Sequence, residues 1–254
     1  MRLIVRIVHL VALAALAPTN LEAASQPLFF ENFDGGGFVM VPVSGGFTGY
    51  THTQSVEGFS GLGTGTNVVS GLYLHNDTGD NFTNSPSLKS TIQLSGLPAH
   101  TGIELKFLLA IIDTWDGNVG DFFHVDVDGT SVFKETFYNG GSSQPQSYNP
   151  PLGVAIERNV NRAVEGWLDS LYNMGLDTQH FGMIPHTAST LRIDFYADGP
   201  NWNRPANESW AIDNVAVNLV PEPSGATLAI IGACALCLRR RISRLRGYRF
   251  LCAK

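Results

Sequence analysis

Through the middle of this chain, apolar and polar residues alternate in short runs broken by Gly, Asn, Asp, Ser and Thr. A period of two is the spacing of a strand with one buried face, and the breakers are turn formers. The clearest run is 102–112, where Ile103, Leu105, Phe107 and Leu109 share a face. Runs at 122–127 and 131–137 follow, joined by Asp128-Gly129, a two-residue hairpin signal in which glycine supplies positive φ. The same pattern predicts strands at 28–33, 71–74, 90–94, 190–196 and 210–218. In the last of these, Ile212, Asn214 and Ala216 alternate with Asp213, Val215 and Val217, giving one apolar face that begins with an acid. The stretch 154–174 supports two readings. Ile156, Val160, Val164, Leu168 and Leu171 fall near helical spacing with charged residues between them, which favours a short helix. Gly166 and the flanking Asn residues weaken a helix, and a strand-built domain needs strands there.

The pattern changes at both ends. Arg2 and Arg6 precede an apolar run over 7–17, and Ala23, Ala24 and Ser25 follow a short polar gap. That is the layout of a secretory signal peptide, with Ala23 and Ser25 suited to the −3 and −1 positions of the cut. Near the other end, residues 226–238 carry no charge and run into Arg239, Arg240 and Arg241. At ~1.5 Å per residue such a helix spans roughly 20 Å, a marginal membrane span helped by arginine snorkelling. The tail beyond it is basic, which orients it to the cytoplasm and puts residues 26–220 on the far side.

Charge sharpens the division. The net charge of −6 over 254 residues combines a basic leader, a middle of seven basic against twenty acidic residues (a net of −13), and a final segment, 221–254, at +6. A balance of −13 disfavours nucleic acid, whose phosphates would be repelled. Cys234, Cys237 and Cys252 all lie in the final segment, so 26–220 has no thiol chemistry and no disulfide. An exported domain of that kind is held by its core or by bound metal. The expected organisation is a signal peptide at 1–25, a β-sandwich ectodomain at 26–220, and a sorting segment at 221–254 containing a transmembrane helix.

The order Pro221-Glu222-Pro223, weak apolar span, arginine cluster resembles the PEP-CTERM sorting signal of Gram-negative bacteria. The resemblance implies export across the inner membrane and recognition of Pro221, Glu222 and Pro223 by an exosortase-type transpeptidase. It also implies a membrane-anchored stage, followed by delivery to the cell surface or extracellular matrix. The chain departs from that pattern in running on to Lys254, well past Arg241. More loosely, residues 112–117, 121–129 and 208–215, the last reading Glu-Ser-Trp-Ala-Ile-Asp-Asn-Val, resemble jelly-roll sandwiches of secreted carbohydrate-binding and MAM-like adhesion domains. That likeness implies an all-β jelly-roll fold whose first and last strands are neighbours, often sharing a structural calcium.

Two groups of oxygen donors suit calcium, a hard cation that takes six to eight oxygens. One is the acidic run Asp113, Asp116, Asp121, Asp126 and Asp128, with Asp113 and Asp116 as the candidate ligands; the other joins the chain ends through Glu31 and Asp34 with Asp213 and Asn214, and Glu208 is an alternative ligand for either. Ordinary turn capping and the wet face of a strand explain the same residues without an ion. For polysaccharide, Trp202 and Asn203 sit in a Gly- and Pro-containing loop where an indole can stack on a sugar ring, or fold back on the core. The histidines show no zinc spacing, and no G-x-S-x-G elbow is present. The sequence therefore points to a non-enzymatic glycan-binding or structural protein of the envelope or exopolysaccharide matrix, with a polysaccharide hydrolase or lyase on the same fold as the alternative.

Overall fold

The computed structural model describes residues 25–79, 86–140, 145–162, 166–200, 202 and 208–222. The signal segment through residue 24, Asn203, Pro223 and the apolar span 226–238 lie outside the described residues. In chain order the strands are β1 (Gln26–Glu31), β2 (Phe38–Val39), β3 (Ser44–Gly49), β4 (Thr53–Ser55), β5 (Gly63–Thr64), β6 (Asn67–Val68), β7 (Leu72–Asn76) and β8 (Ser90–Ser95). There follow β9 (His100–Asp113), β10 (Phe122–Val127), β11 (Thr130–Thr136), β12 (Ala155–Val160), β13 (Asp169–Asn173), β14 (Ile184–Pro185), β15 (Thr190–Asp198) and β16 (Glu208–Pro221). One α-turn, α1 (Thr178–Phe181), is capped by the Asp177 side chain.

Two antiparallel sheets make a sandwich. The larger runs β12-β13-β9-β16-β1-β2, with β7 and β4 continuing from β16 and β14 on β9; the smaller runs β11-β10-β15-β8-β3. The first and last strands pair, from Gln26 opposite Leu219 to Glu31 opposite Val215. The Asp128-Gly129 hairpin closes as expected, with both residues at positive φ and Val127 opposite Thr130.

The core lies between the sheets. Ile103, Leu105, Phe107, Leu109 and Ile111 of β9 face Ile92, Phe123, Val125, Ile193 and Phe195 of the smaller sheet. The even residues Leu108, Ala110 and Ile112 are also buried, under a cover made by Val56, Phe59, Val69 and Tyr73. β9 is thus apolar on both faces because the 56–69 segment folds over its outer side.

β16 changes face partway. Trp210 and Ile212 point into the core, and so do Val215, Val217 and Leu219, which have the opposite parity. The switch is a bulge: Asp213 pairs with Leu108 and Ala216 with Lys106, leaving one extra residue on β16, and Asn214 there has φ +51°. The single apolar face expected from the sequence is thus two, one on each side of Asn214.

Within 154–174 the described residues form two strands, β12 and β13, and the helical reading is corrected. β13 pairs with β9 from Ser170–Ile111 to Asn173–Leu108, and β12 pairs with β13. The β12–β13 register slips twice, with Asn159 at φ +55°. Those irregularities space the apolar residues away from period two and so imitate a helix. Among the described residues, no helix is long and apolar enough to cross a membrane.

Candidate functional site

The outer face of the smaller sheet is polar along its whole width. Successive rows carry Asp198 and Phe122, then Tyr196, His124 and Lys134, then Thr48, Thr91, Asp194 and Asp126, then Gly46, Gln93 and Arg192, then Ser44, Ser95 and Thr190. Each is outward because its neighbours along the strand face the core. At the β3 edge, where Gly46 has no side chain to fill the space, this face forms an open groove of about 700 Å³. Its walls present the polar groups of Thr48, Gln93, Ser95, Thr190, Asp128 and Arg192.

The Arg192 guanidinium is held in place by Asp194 (Nη2–Oδ1 2.8 Å, Nε–Oδ2 3.1 Å) and donates to Thr91 Oγ1 at 3.3 Å. Its side chain remains 44% exposed, so it is oriented but accessible. The Asp128 carboxylate accepts the Arg192 amide at 2.9 Å and, from its other oxygen, meets His186 Nε2 at 3.0 Å.

Farther along the face, Tyr196 is stacked on His124 (centroids 4.3 Å apart) and covered on its other side by Lys89, with Nζ 4.2 Å from the ring centre. A lysine beside a tyrosine is a pairing used for proton abstraction from sugars, but this tyrosine is poorly suited to be a base. Burial and the Asp126 carboxylate, which accepts its hydroxyl at 3.1 Å, push the phenol's pKa up and keep it protonated. Burial pushes the Asp194 carboxyl upward, yet hydrogen bonds from Thr91 and Arg192 and the Lys89 charge bring it below its ordinary value. Asp198 is lowered chiefly by its hydrogen bond with His124 at 2.7 Å. Neither of these carboxyls is held as an acid at neutral pH, as protonating a leaving group would require.

A second constellation lies where β9 ends and β16 begins. Asp113 closes β9 at φ +65° and pairs with Glu208, the first residue of β16. The chain then turns through Asp116 and a 3₁₀ turn, Gly117–Val119, to Asp121. One carboxylate oxygen each from Asp116, Asp121 and Glu208 lie within 4.8 Å of one another, the one such group among the described residues. Asp116 is exposed, while Asp121 and Glu208 are buried. Asp121 Oδ2 accepts the Asp116 amide at 2.7 Å. Burial raises the Asp121 pKa to about 7; the amide bond opposes this and the Asp116 charge adds to it. Of the sequence-predicted pair, Asp116 belongs to this group, whereas Asp113 is fully buried at the sheet end with its amide on Asp169. The sequence reading did not select Asp121; its only signal was membership of the acidic run 113–128.

The chain-end residues are brought to one place but oriented differently. The Leu72 amide donates to Asp34 Oδ1 at 2.7 Å and the Ser70 amide to Asp213 Oδ2 at 3.3 Å, so both carboxylates hold the bend before β7. Gly71, at φ +63°, sits between them, and a Cβ there would lie 2.1 Å from Asp34 Oδ1. Burial lifts the Asp213 pKa to about 7, opposed by the amides of Asn214 and Ser70 and aided by the Asp34 charge. Glu31 turns back to accept the Phe33 amide, and the Asn214 amide donates to Asn67 Oδ1 and the Val68 carbonyl. Glu31, Asp34 and Asp213 do not form a second group of mutually close carboxylates.

Trp202 takes the core alternative. It is fully buried, packs edge-on against Trp115 at 5.3 Å and donates Nε1–H to the Thr78 carbonyl at 3.2 Å. An indole so enclosed has no face for a sugar ring. Trp115 and Trp210 are also buried, and the half-exposed indole is Trp167, in the loop between β12 and β13, which the sequence reading passed over. His75 Nε2 meets Ser209 Oγ at 2.9 Å and Nδ1 meets Gln54 at 2.7 Å, a serine–histidine pair sealed beneath the 56–69 cover with Ser209 fully buried. Pro221, opposite His100, ends β16, and Glu222 follows it exposed.

No protein-family model matches this sequence, and no curated protein matches it. Solved structures similar to it include a family 35 carbohydrate-binding module from an environmental isolate, at 13% identity and TM-score 0.30, covering 77% of this chain and all of that one. The K1 cleaved adhesin domain of Lys-gingipain from Porphyromonas gingivalis is 12% identical at TM-score 0.30, covering 77% of this chain and 90% of that one. The CBM22-1 and GH10 modules of Clostridium thermocellum xylanase 10B, solved with xylohexaose, are 11% identical at TM-score 0.31, and cover 79% of this chain and 30% of that one. One of these is a carbohydrate-binding module, one an adhesin domain and one a xylanase carrying CBM22-1 and GH10 modules, and the functional reading rests on the chain's own residues.

Proposed function

We propose that residues 26–220 form a non-catalytic, jelly-roll-like glycan-binding domain that holds polysaccharide across the outer face of its smaller sheet. The observation that carries this reading is the open groove at the β3 edge. Hydroxyl, amide, guanidinium and carboxylate groups converge there around a glycine floor, a donor and acceptor set that matches a polyol. The raised Tyr196 pKa and the lowered Asp194 and Asp198 pKa values support binding over a lyase or hydrolase role on this face. Export through the signal peptide, sorting through Pro221-Glu222-Pro223 by an exosortase-type partner, and a final place at the surface or in an exopolysaccharide matrix complete the proposal. Calcium is the cation proposed to stabilise the domain outside the cell.

A glycan array probed with the purified protein, Arg192→Ala, Gln93→Ala and Trp167→Ala tests the reading. Loss of one hydrogen bond from a charged group is expected to weaken binding about 10- to 100-fold for Arg192→Ala. Gln93→Ala should weaken it less, and Trp167→Ala should leave it unchanged. Glycan binding lost only in Trp167→Ala would move the site to the β12–β13 loop and refute the groove.

A further inference from the structure

We propose that Asp116, Asp121 and Glu208 form a divalent-cation site, with calcium as its ion, that fastens the turn after β9 to the start of β16. This deepens the calcium part of the proposed function and does not depend on glycan binding. The geometry comes first. Calcium binds oxygen at about 2.3–2.6 Å, so two oxygens on one ion stand no more than about 5 Å apart. The three carboxylate oxygens lie within 4.8 Å of one another, inside that limit. The donors are all oxygen and come from three separate backbone positions, an irregular set that suits calcium better than the octahedral demands of magnesium or the soft ligands of zinc.

An independent observation marks the place as a ligand site. Asp121 is fully buried, and although its Oδ2 accepts the Asp116 amide, its Oδ1 has no hydrogen-bond partner. Leaving a buried carboxylate oxygen without a partner is costly, and proteins avoid it unless something else supplies the interaction. An ion among these three residues supplies it. Asp116, exposed on the solvent side, leaves room for water to complete the coordination.

The surroundings are built to hold the ligands in place. The Gly117 amide donates to the Phe137 carbonyl and the Asn118 amide to the Pro145 carbonyl, fixing the turn from behind. Gly199, at φ +144°, lies so close to Gly120 that a Cβ there would fall 1.5 Å from its carbonyl oxygen, which brings the end of β15 onto the same turn. Glu208 enters from β16, fixed opposite Asp113 by the ladder. The ion would therefore join two chain segments far apart in sequence, the turn 116–121 and the start of β16, in a domain without disulfides.

Terbium, a luminescent stand-in for calcium, gives the test, because Trp115 immediately precedes Asp116 and can sensitise it. The purified protein should show saturable terbium emission on indole excitation, displaced by calcium. Its Tm should rise by roughly 5–10 °C when calcium is raised to about 100 times Kd. Asp121→Asn and Glu208→Gln should each weaken terbium binding at least tenfold and abolish the calcium-dependent Tm shift. Asp121→Asn in chelator should melt close to the wild type, since the amide matches the carboxyl in size and its oxygen can still accept the Asp116 amide; this keeps the variant informative as a folded protein. Asp213→Asn should bind terbium as the wild type does. Full binding in Asp121→Asn with loss in Asp213→Asn would overturn this site while leaving calcium at the chain ends. Absence of both terbium emission and a calcium shift in the wild type would overturn the calcium reading altogether.

Discussion

Asn214 is the residue on which the orientation of the last strand turns, and its replacement should separate two effects. Its backbone sits at φ +51°, in the left-handed region, and its side-chain amide donates to Asn67 Oδ1 at 3.0 Å and to the Val68 carbonyl at 2.8 Å. Alanine removes both hydrogen bonds, at about 1 kcal/mol each, and adds about 1 kcal/mol because it occupies the left-handed region less readily than asparagine, about 3 kcal/mol in all. Glycine removes the same bonds without that conformational penalty, about 2 kcal/mol. At about 2–4 °C per kcal/mol for a domain of this size, Asn214→Ala should lower Tm by about 6–12 °C and Asn214→Gly by about 4–8 °C. Deleting residue 214 outright should be far worse. Without the extra residue, Val215, Val217 and Leu219 turn to the wrong face while Trp210 and Ile212 stay in the core. Thermal and urea denaturation, each followed by tryptophan fluorescence, measure all three. Equal losses for alanine and glycine would refute the backbone component, and a deletion variant of native stability would refute the bulge as the device that sets strand parity.

Three further outcomes are expected. Asp213 has a pKa of about 7 when folded against an ordinary 3.8, so between those values the folded state holds a proton that the unfolded chain has released, and stability falls as pH rises through that window. In chelator the contribution reaches about 4 kcal/mol at most; urea midpoints at pH 5 and pH 8 should therefore differ less for Asp213→Asn than for the wild type, and an equal difference would contradict the burial argument. Trp202→Ala should cost about 3–5 kcal/mol in the same unfolding assay, as for loss of a large buried side chain, whereas a change of under about 1 kcal/mol would show that the indole is not part of the core. Replacing Glu222 and Pro223 with alanine, which leaves the β16 ladder through Pro221 intact, should hold the protein in the inner membrane of its host; normal delivery in fractionated cells would refute sorting by this motif.

The strands were legible wherever one face is buried by the opposite sheet and turns fall where Gly and Asp permit them. Residues 102–112, 122–127 and 190–196 are of this kind; the structure keeps the second unchanged and extends the other two by a few residues. What the sequence obscured has a common physical origin in bulges and second layers. Two register slips disguised β12 and β13 as a helix, and the extra residue at Asn214 made β16 read as a single alternation when it is two. Leu108, Ala110 and Ile112 carry the apolar run onto the second face of β9, but nothing in the local pattern announces that 56–69 is what covers it.

The same limit governs the sites. Aromatic residues near polar loops were candidates for a sugar platform, but whether an indole turns out or in depends on long-range packing. Trp202 met Trp115 across the domain, while Trp167 was left half-exposed. The groove could not be read from any one segment, because its walls come from β3, β8, β15 and the β10–β11 turn. The acidic cluster was visible as composition, but the pairing of β9 with β16 decides which carboxylates converge. That pairing carries Glu208 to Asp116 and Asp121 and leaves Asp113 at the sheet end. Short-range pattern therefore shows which carboxylates and indoles the domain carries, and the long antiparallel ladder determines which of them are brought together.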